Sequence, residues 1–276
     1  MDTDLAHTEL RRTVVAVDPS SDSSSPSWDG IAVDPSEGHR AHKDPAQALR
    51  PTSASGLLLN WDSGRPDMPR VYSDRAISLM VKRLFDIAGS AAGLLVLSPL
   101  LLGIALAIKL TSAGPVLFWQ ERVGFRGQRF RILKFRTLFS DRCDPSGRSQ
   151  IDREDNRVTP IGRILRTKSL DELPQLVNVL RGEMSLVGPR PHVSGMQIEG
   201  RTYEVAVPYY AEREAMKPGI TGWAQVNQFR GPTLDFTTAV ARVHHDIAYI
   251  QNFSLALDMQ ILLMTIWIEA LRGTGQ

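Results

Sequence analysis

The stretch "KRLFDIAGSAAGLLVLSPLLLGIALAIKL", residues 82–110, decides the fold. From Ile87 to Ile108 it runs 22 residues without a charge. As an α-helix, at about 1.5 Å per residue, that is about 33 Å, enough to cross a hydrocarbon layer of about 30 Å. A buried helix in a soluble core is the plain alternative, and an uncharged run of this length speaks against it. Ser98-Pro99 sits mid-run. Pro99 has no N–H to offer the carbonyl of Leu95, so the helix opens and kinks there. The Ser98 hydroxyl can satisfy a freed backbone group in a medium without water. Lys82 and Arg83 precede the run and Lys109 closes it, which leans toward both ends facing the cytoplasm. The residues alone leave a kinked span and a re-entrant hairpin both open.

Toward the N-terminus the character changes. Residues 1–77 are rich in Ser, Asp and Pro, as in "DPSSDSSSPSWDG", sustain no apolar period and read as a disordered extension. "AVDPS" occurs at 16–20 and at 32–36, an echo rather than a repeat architecture. Nothing there reads as a cleavable leader. The lone Cys143 rules out an internal disulfide.

Toward the C-terminus, "VLFWQERV" and "RFRILKF" are strand-like, with "GFRGQ" as the turn between them. Residues 120–168 hold 13 basic and 6 acidic side chains, a net of +7. In the second strand Phe130, Ile132 and Phe135 alternate with Arg129, Arg131, Lys134 and Arg136. One face reads as apolar and the other as cationic, either plain solvated charge or a surface for phosphate or lipid headgroups. The stretch "YIQNFSLALDMQILLMTIWIEALRG" reads as one helix, interfacial or core-facing. Its Asp258, Gln260 and Glu269 argue against a span.

Between these lies "SLDELPQL", residues 169–176, with Asp171 and Glu172 side by side. Ser169 and Glu172 have capping-box spacing. Pro174 complicates that cap. As the first helical residue it would leave both acids just outside the helix "LPQLVNVL". Either version puts the acids at a helix N-terminus, where ionised carboxylates gain about 0.3–1 kcal/mol. Arg163, Arg166 and Lys168 precede them. "GPRPH" follows, with Arg190 held between two prolines and suited to bidentate contact with phosphate. "KPGITGWAQVNQFRG" adds Lys217 and Arg230 near Gly219 and Gly222, whose backbones a ligand could approach closely. A structural cap and a reacting pair both remain open.

Other chemistries are poorly supplied. The sequence lacks G-x-x-x-x-G-K-[ST] and a post-strand G-x-G-x-x-G, and one cysteine does not make a structural zinc site. Carboxylates near arginines suit Mg²⁺ with a phosphate substrate. Few aromatics interleave the basic run, which argues against nucleic acid.

Taken in order, "KRLFD", the apolar run with Ser98-Pro99, "GPVLFWQERVG", "KFRTL", "NRVTPIGRILR", "SLDELPQLVNVLRGEMSLVGPRP" and "KPGITGWAQVN" resemble the bacterial sugar transferases, the monotopic phosphoglycosyl transferases that act on polyprenyl phosphate. The resemblance covers residues 78–276. It implies a helix-rich α+β fold with a re-entrant helix (82–110) broken at Ser98-Pro99, a small β-hairpin and interfacial amphipathic helices. It implies transfer of a sugar 1-phosphate from a UDP-sugar to undecaprenyl phosphate on the cytoplasmic face of the bacterial inner membrane, releasing UMP, as the first membrane step of exopolysaccharide or capsule synthesis. Asp171 falls on the nucleophile of a ping-pong path through a covalent phospho-sugar enzyme. Glu172 falls on its partner acid, and both are expected at Mg²⁺. Arg190 and Arg166 are expected at phosphate, with Arg163, Arg136, Lys217 and Arg230 as further candidates. A homodimer is compatible. The pattern is most like members that transfer glucose or galactose 1-phosphate, but Gln228 stands where those usually have glycine, and Leu138 where methionine is usual. A non-enzymatic, basic, peripheral membrane-binding protein is the competing expectation.

Overall fold

A computed structural model describes residues 75–141, 155–207, 209–231 and 235–272, with a few positions between 57 and 68. Most of the extension read as disordered lies outside the described residues. Within it, β1 (Trp61–Asp62) and β2 (Arg65–Pro66) pair antiparallel, and Leu57 and Met68 pack on the core.

The long apolar stretch forms α1 (Ala76–Val96) and α2 (Ser98–Thr111), bent by 61°. Ser98 Oγ donates to the Leu95 carbonyl at 2.7 Å, the acceptor that Pro99 cannot serve. Among the described residues no single helix is long and apolar enough to cross a membrane; this bent pair passes only jointly.

The faces of α1 are inverted relative to a soluble helix. Its buried residues are Lys82, Asp86 and Ser90, one stripe at i, i+4 and i+8. Ile77, Met80, Leu84, Leu95 and Val96 are each at least 66% exposed, and α2 exposes Leu102, Leu106 and Leu110. The two buried charges are paired, as burial requires, while the Ser90 hydroxyl has no partner among the described residues. Lys82 Nζ donates to Asp258 (2.6 Å) and the Val187 carbonyl (2.9 Å). Asp86 Oδ1 accepts from Ser185 Oγ and the Leu186 N–H.

Next comes a hairpin of β3 (Leu117–Val123) and β4 (Arg129–Phe135), with Leu117 opposite Phe135 and Val123 opposite Arg129. Ile132 packs with Val179 and Met184. The cationic face read from the alternation is only partly solvated. Arg129 and Arg131 are exposed, but Lys134 and Arg136 turn inward. Arg136 has a task within the fold. Its guanidinium donates to the carbonyls of Pro115 (2.6 Å), Ala113 (2.6 Å) and Ser112 (3.0 Å), so it fastens the chain leaving α2.

The chain continues through α3 (Pro160–Thr167), a 3₁₀ turn Leu170–Glu172 and α4 (Gln175–Arg181) to β5 (Ser185–Val187). After the small ribbon β6 (Gln197–Ile198) and β7 (Arg201–Thr202) come α5 (Tyr203–Ala206), a 3₁₀ segment Tyr210–Ala215 and β8 (Gly219–Thr221). β8 pairs parallel to β5. Three helices close the fold: α6 (Trp223–Val226), α7 (Phe236–Gln251) and α8 (Leu255–Arg272). The C-terminal stretch is therefore two helices rather than one. Ser254 Oγ accepts from the Leu257 N–H and starts α8. The architecture is mixed helix and sheet, and its largest core joins Val187, Trp223, Tyr249, Phe253 and Ile261.

Candidate active site

The two acids sit where α3 ends and α4 begins. The capping box does not form: Ser169 adopts φ 52°, a left-handed conformation, and its hydroxyl makes no cap. Helix α4 starts only after Pro174, which leaves Asp171 and Glu172 in a separate 3₁₀ turn just outside it. The backbone thus follows the second of the two sequence readings. Gly182 closes α4 at φ 85°, and Arg83 of α1 donates to the Val179 and Leu180 carbonyls at that end.

The two carboxylates meet opposite surroundings. Glu172 Oε1 accepts from Lys134 Nζ at 2.6 Å and Arg190 Nη2 at 2.8 Å, and its Oε2 accepts from Arg190 Nη1 at 3.2 Å. Burial opposes its ionisation, but Arg190 and Lys134 hold it far below the usual carboxylate range. Asp171 is 8% exposed and makes no hydrogen bond or ion pair among the described residues. Burial, joined by the neighbouring Glu172 charge, pushes it up to about 6, against Lys134, Arg166 and Arg190. A buried carboxylate with no partner beside a fully clamped one separates two roles.

Arg190 is held from behind. Its carbonyl accepts from Arg213 Nη2 at 2.6 Å, and Arg213 also pairs with Asp246 of α7 and donates to the Tyr210 hydroxyl. The Val123 N–H donates to the His192 carbonyl, which ties the hairpin to the same segment. Gly219 and Gly222 do their work here, on backbone rather than ligand. A Cβ at Gly219 would lie 2.1 Å from the Gly188 nitrogen, and one at Gly222 would lie 2.2 Å from the Gly188 oxygen. Gly219→Ala is therefore expected to cost about 3 kcal/mol and to lower the unfolding temperature, because the obstructing atoms are backbone and cannot rotate away.

The structure gathers Asp171, Glu172 and Arg190, with Arg166 close enough to act on Asp171. Arg163 lies one turn earlier on α3 and is exposed. The other two candidates differ in placement. Arg230 pairs with Glu269 of α8, whose Oε1 also accepts from Ser169 Oγ at 3.3 Å, two residues before Asp171, and it donates to the Gln225 carbonyl. Lys217 lies beside Arg83 at the Gly182 end of α4, the end away from the dyad. Lys134 is the site residue that sequence reasoning assigned only to a general basic face. Its signal is strand register, since Lys134 lies opposite Phe118 on the face shared with buried Gln120 and Ile132.

No cluster of three or more His, Cys, Asp or Glu side chains among the described residues could hold a metal ion. The donor set fits Mg²⁺ in one way. Asp171 has both oxygens unused, and a hard ion can take its other ligands from phosphate oxygens and water. Glu172 is less available, since Lys134 and Arg190 already occupy it.

A family model described as "Bacterial sugar transferase" matches residues 77–272. The exopolysaccharide production protein PSS of Rhizobium leguminosarum bv. phaseoli is 50% identical over 199 residues, 72% of this chain and 100% of that protein. The undecaprenyl-phosphate glucose phosphotransferase of Komagataeibacter xylinus is 48% identical over 68% of this chain and 35% of its own length. The UDP-glucose:undecaprenyl-phosphate glucose-1-phosphate transferase of Caulobacter vibrioides is 47% identical over 77% of this chain and 76% of its own.

Proposed function

The chain belongs to the bacterial sugar transferase family, and from that membership we propose that it moves a hexose 1-phosphate, glucose 1-phosphate first among the candidates, from a UDP-sugar to undecaprenyl phosphate for exopolysaccharide synthesis. The names of its relatives support the donor, acceptor and pathway. The observation that carries the chemistry is the contrast within the dyad: Asp171 has no partner, and Glu172 is clamped by Lys134 and Arg190.

In this reading an Asp171 oxygen attacks the sugar-bearing phosphorus of the UDP-sugar. The bond to the bridging oxygen breaks, UMP leaves and a sugar-phosphoryl aspartate remains. An oxygen of undecaprenyl phosphate then attacks the same phosphorus, and Asp171 is released as a carboxylate. Both steps set anion against anion, so positioned cations lower the barrier. Arg190, braced by its prolines and Arg213, presents a fixed guanidinium. Glu172 holds Lys134 and Arg190 in place, and Arg166 adds positive charge near the nucleophile. Mg²⁺, held by Asp171 and the diphosphate oxygens, would neutralise the phosphoryl charge.

The same proposal places α1 and α2 in the membrane as a re-entrant hairpin, with the site on the cytoplasmic face. What supports this is the outward apolar surface of α1 and α2, over a bend that Ser98 and Pro99 create. With Cys143 replaced by serine, cysteines at positions 75 and 115 are expected to label from the cytoplasmic side alone. Labelling from opposite sides would overturn the hairpin. The function is tested by UMP release from a panel of UDP-sugars with undecaprenyl phosphate and Mg²⁺. Wild-type protein that releases no UMP from any of them sinks the transferase reading. The competing picture of a basic lipid-binding protein loses part of its motive, because Lys134 and Arg136 spend their charge inside the protein.

A further inference from the structure

We propose that Arg122 is a second phosphate-binding residue of this site and that it grips, together with Arg190, the phosphate group that Asp171 does not attack. The proposal rests on the transferase reading and extends it to a subsite.

Arg122 lies on β3, and its ladder partner is Phe130; Gln120 pairs with Ile132, and Phe118 with Lys134. Directly opposed residues of an antiparallel pair share a face, so Arg122 projects from the face that carries Lys134 to Glu172. Four residues of strand separate their backbones, about 13 Å. The strand end is also tied to the Arg190 segment by the Val123–His192 hydrogen bond at 3.0 Å.

The surroundings of Arg122 do not neutralise it. Its Nη2 donates to the Gln120 amide oxygen, a neutral group. Its Nε is enclosed and has no hydrogen-bond partner. No carboxylate lies within ion-pair distance among the described residues, and the nearby Glu172 is already taken by Lys134 and Arg190. Three cations, Arg122, Lys134 and Arg190, therefore gather around one occupied carboxylate. Burial and then the Arg190 charge push the Arg122 guanidinium down to about 10. A buried donor without a partner and a cation without a counter-ion are both costly, and a phosphate bridging Arg122 and Arg190 relieves both.

Position selects which phosphate. Lys134, which holds Glu172 beside the nucleophile, lies roughly 13 Å along the hairpin from Arg122. Arg122 stands instead at the strand end that is tied to His192, two residues past Arg190. An anion at Arg122 sits beyond the reacting phosphorus, as a phosphate monoester would: that of the departing nucleoside monophosphate, or that of the incoming lipid.

The test uses the full chain in lipid nanodiscs. UMP is titrated into Asp171→Asn protein with and without Arg122→Gln, so binding is read without turnover. KM for undecaprenyl phosphate is read in the Arg122→Gln single variant. A loss of about 10- to 100-fold in UMP affinity assigns the subsite to the leaving group, and the same loss in lipid KM alone assigns it to the acceptor. Unchanged values for both overturn the proposal. Arg122→Lys, which keeps the charge, is expected to fall between wild type and Arg122→Gln. Equal losses in the lysine and glutamine variants, together with a lowered unfolding temperature, mean that Arg122 only supports the fold, and they also overturn it. Should wild-type protein turn over no UDP-sugar, the transferase reading fails, while the UMP titration still judges Arg122.

Discussion

Asp171→Asn is expected to lower sugar 1-phosphate transfer by at least about 10⁴-fold and, at neutral to alkaline pH, to stabilise the protein. The amide keeps the shape of the side chain but cannot attack phosphorus, so no phospho-sugar adduct forms and UMP release stops. The stability gain follows from protonation. Burial raises Asp171 from its ordinary 3.8 to about 6. Between those values the folded protein keeps a proton that the unfolded chain has lost. The favourable contribution is therefore fully present below 3.8 and is lost as pH rises through about 6. At pH 8 the ionised, buried, unpaired carboxylate is a net cost of about 1–3 kcal/mol, which the neutral amide removes. Thermal unfolding in chelator, without nucleotide, should show the variant ahead at pH 8 and level with wild type at pH 4. A variant less stable than wild type at pH 8 would make Asp171 a structural acid, and retained transfer would remove it as the nucleophile.

Asp258→Asn is expected to be the most damaging substitution away from the dyad. Lys82 and Asp258 are 7% and 9% exposed, and they meet at 2.6 Å. Tyr249 donates its hydroxyl to the other carboxylate oxygen at 2.7 Å. Removing the negative partner leaves a buried ammonium beside Val187 with only the Val187 carbonyl and an amide to accept its protons. Breaking such a pair costs about 3–5 kcal/mol, which lowers the unfolding temperature by about 10 °C in a protein of this size. The double change Lys82→Met with Asp258→Leu is expected to recover most of that loss, because both desolvation costs disappear together. A double variant no better than Asp258→Asn would mean that the pair is not the source of the instability.

The sequence was most legible where one local rule sets the geometry. Both hairpin strands, the turn between them and the kink at Ser98-Pro99 follow from alternation, turn residues and the missing proline N–H. The dyad was visible as adjacent acids ahead of a proline, and Arg190 as a guanidinium between two prolines. What escaped were the choices settled by distant chain. Alternation groups residues by face, but it does not say which later element covers that face, so Lys134 looked solvated although Glu172 receives it. A guanidinium serves backbone carbonyls as well as it serves phosphate, so the hold of Arg136 on the chain leaving α2 was not legible from its charge. Ser169 had the spacing of a cap, but its left-handed backbone turns the hydroxyl away. The break before α8 carries no proline or glycine; its signal was Ser254 as an N-cap.

One turn of α1 has the widest reach. Lys82, Arg83 and Asp86 fall within a span of five positions, and they bind α8, the end of α4, and β5. Those are the supports behind the dyad and behind Arg190. With the hairpin in the membrane, as proposed, the site has no hinge relative to the bilayer. Its height above the lipid and its compass bearing are both set by the helix screw. Adding one residue between Asp86 and Ser98 would swing the greasy side of the hairpin's far half by 100° while leaving the site itself intact. The enzyme would then be correctly built but aimed at the wrong part of the lipid surface.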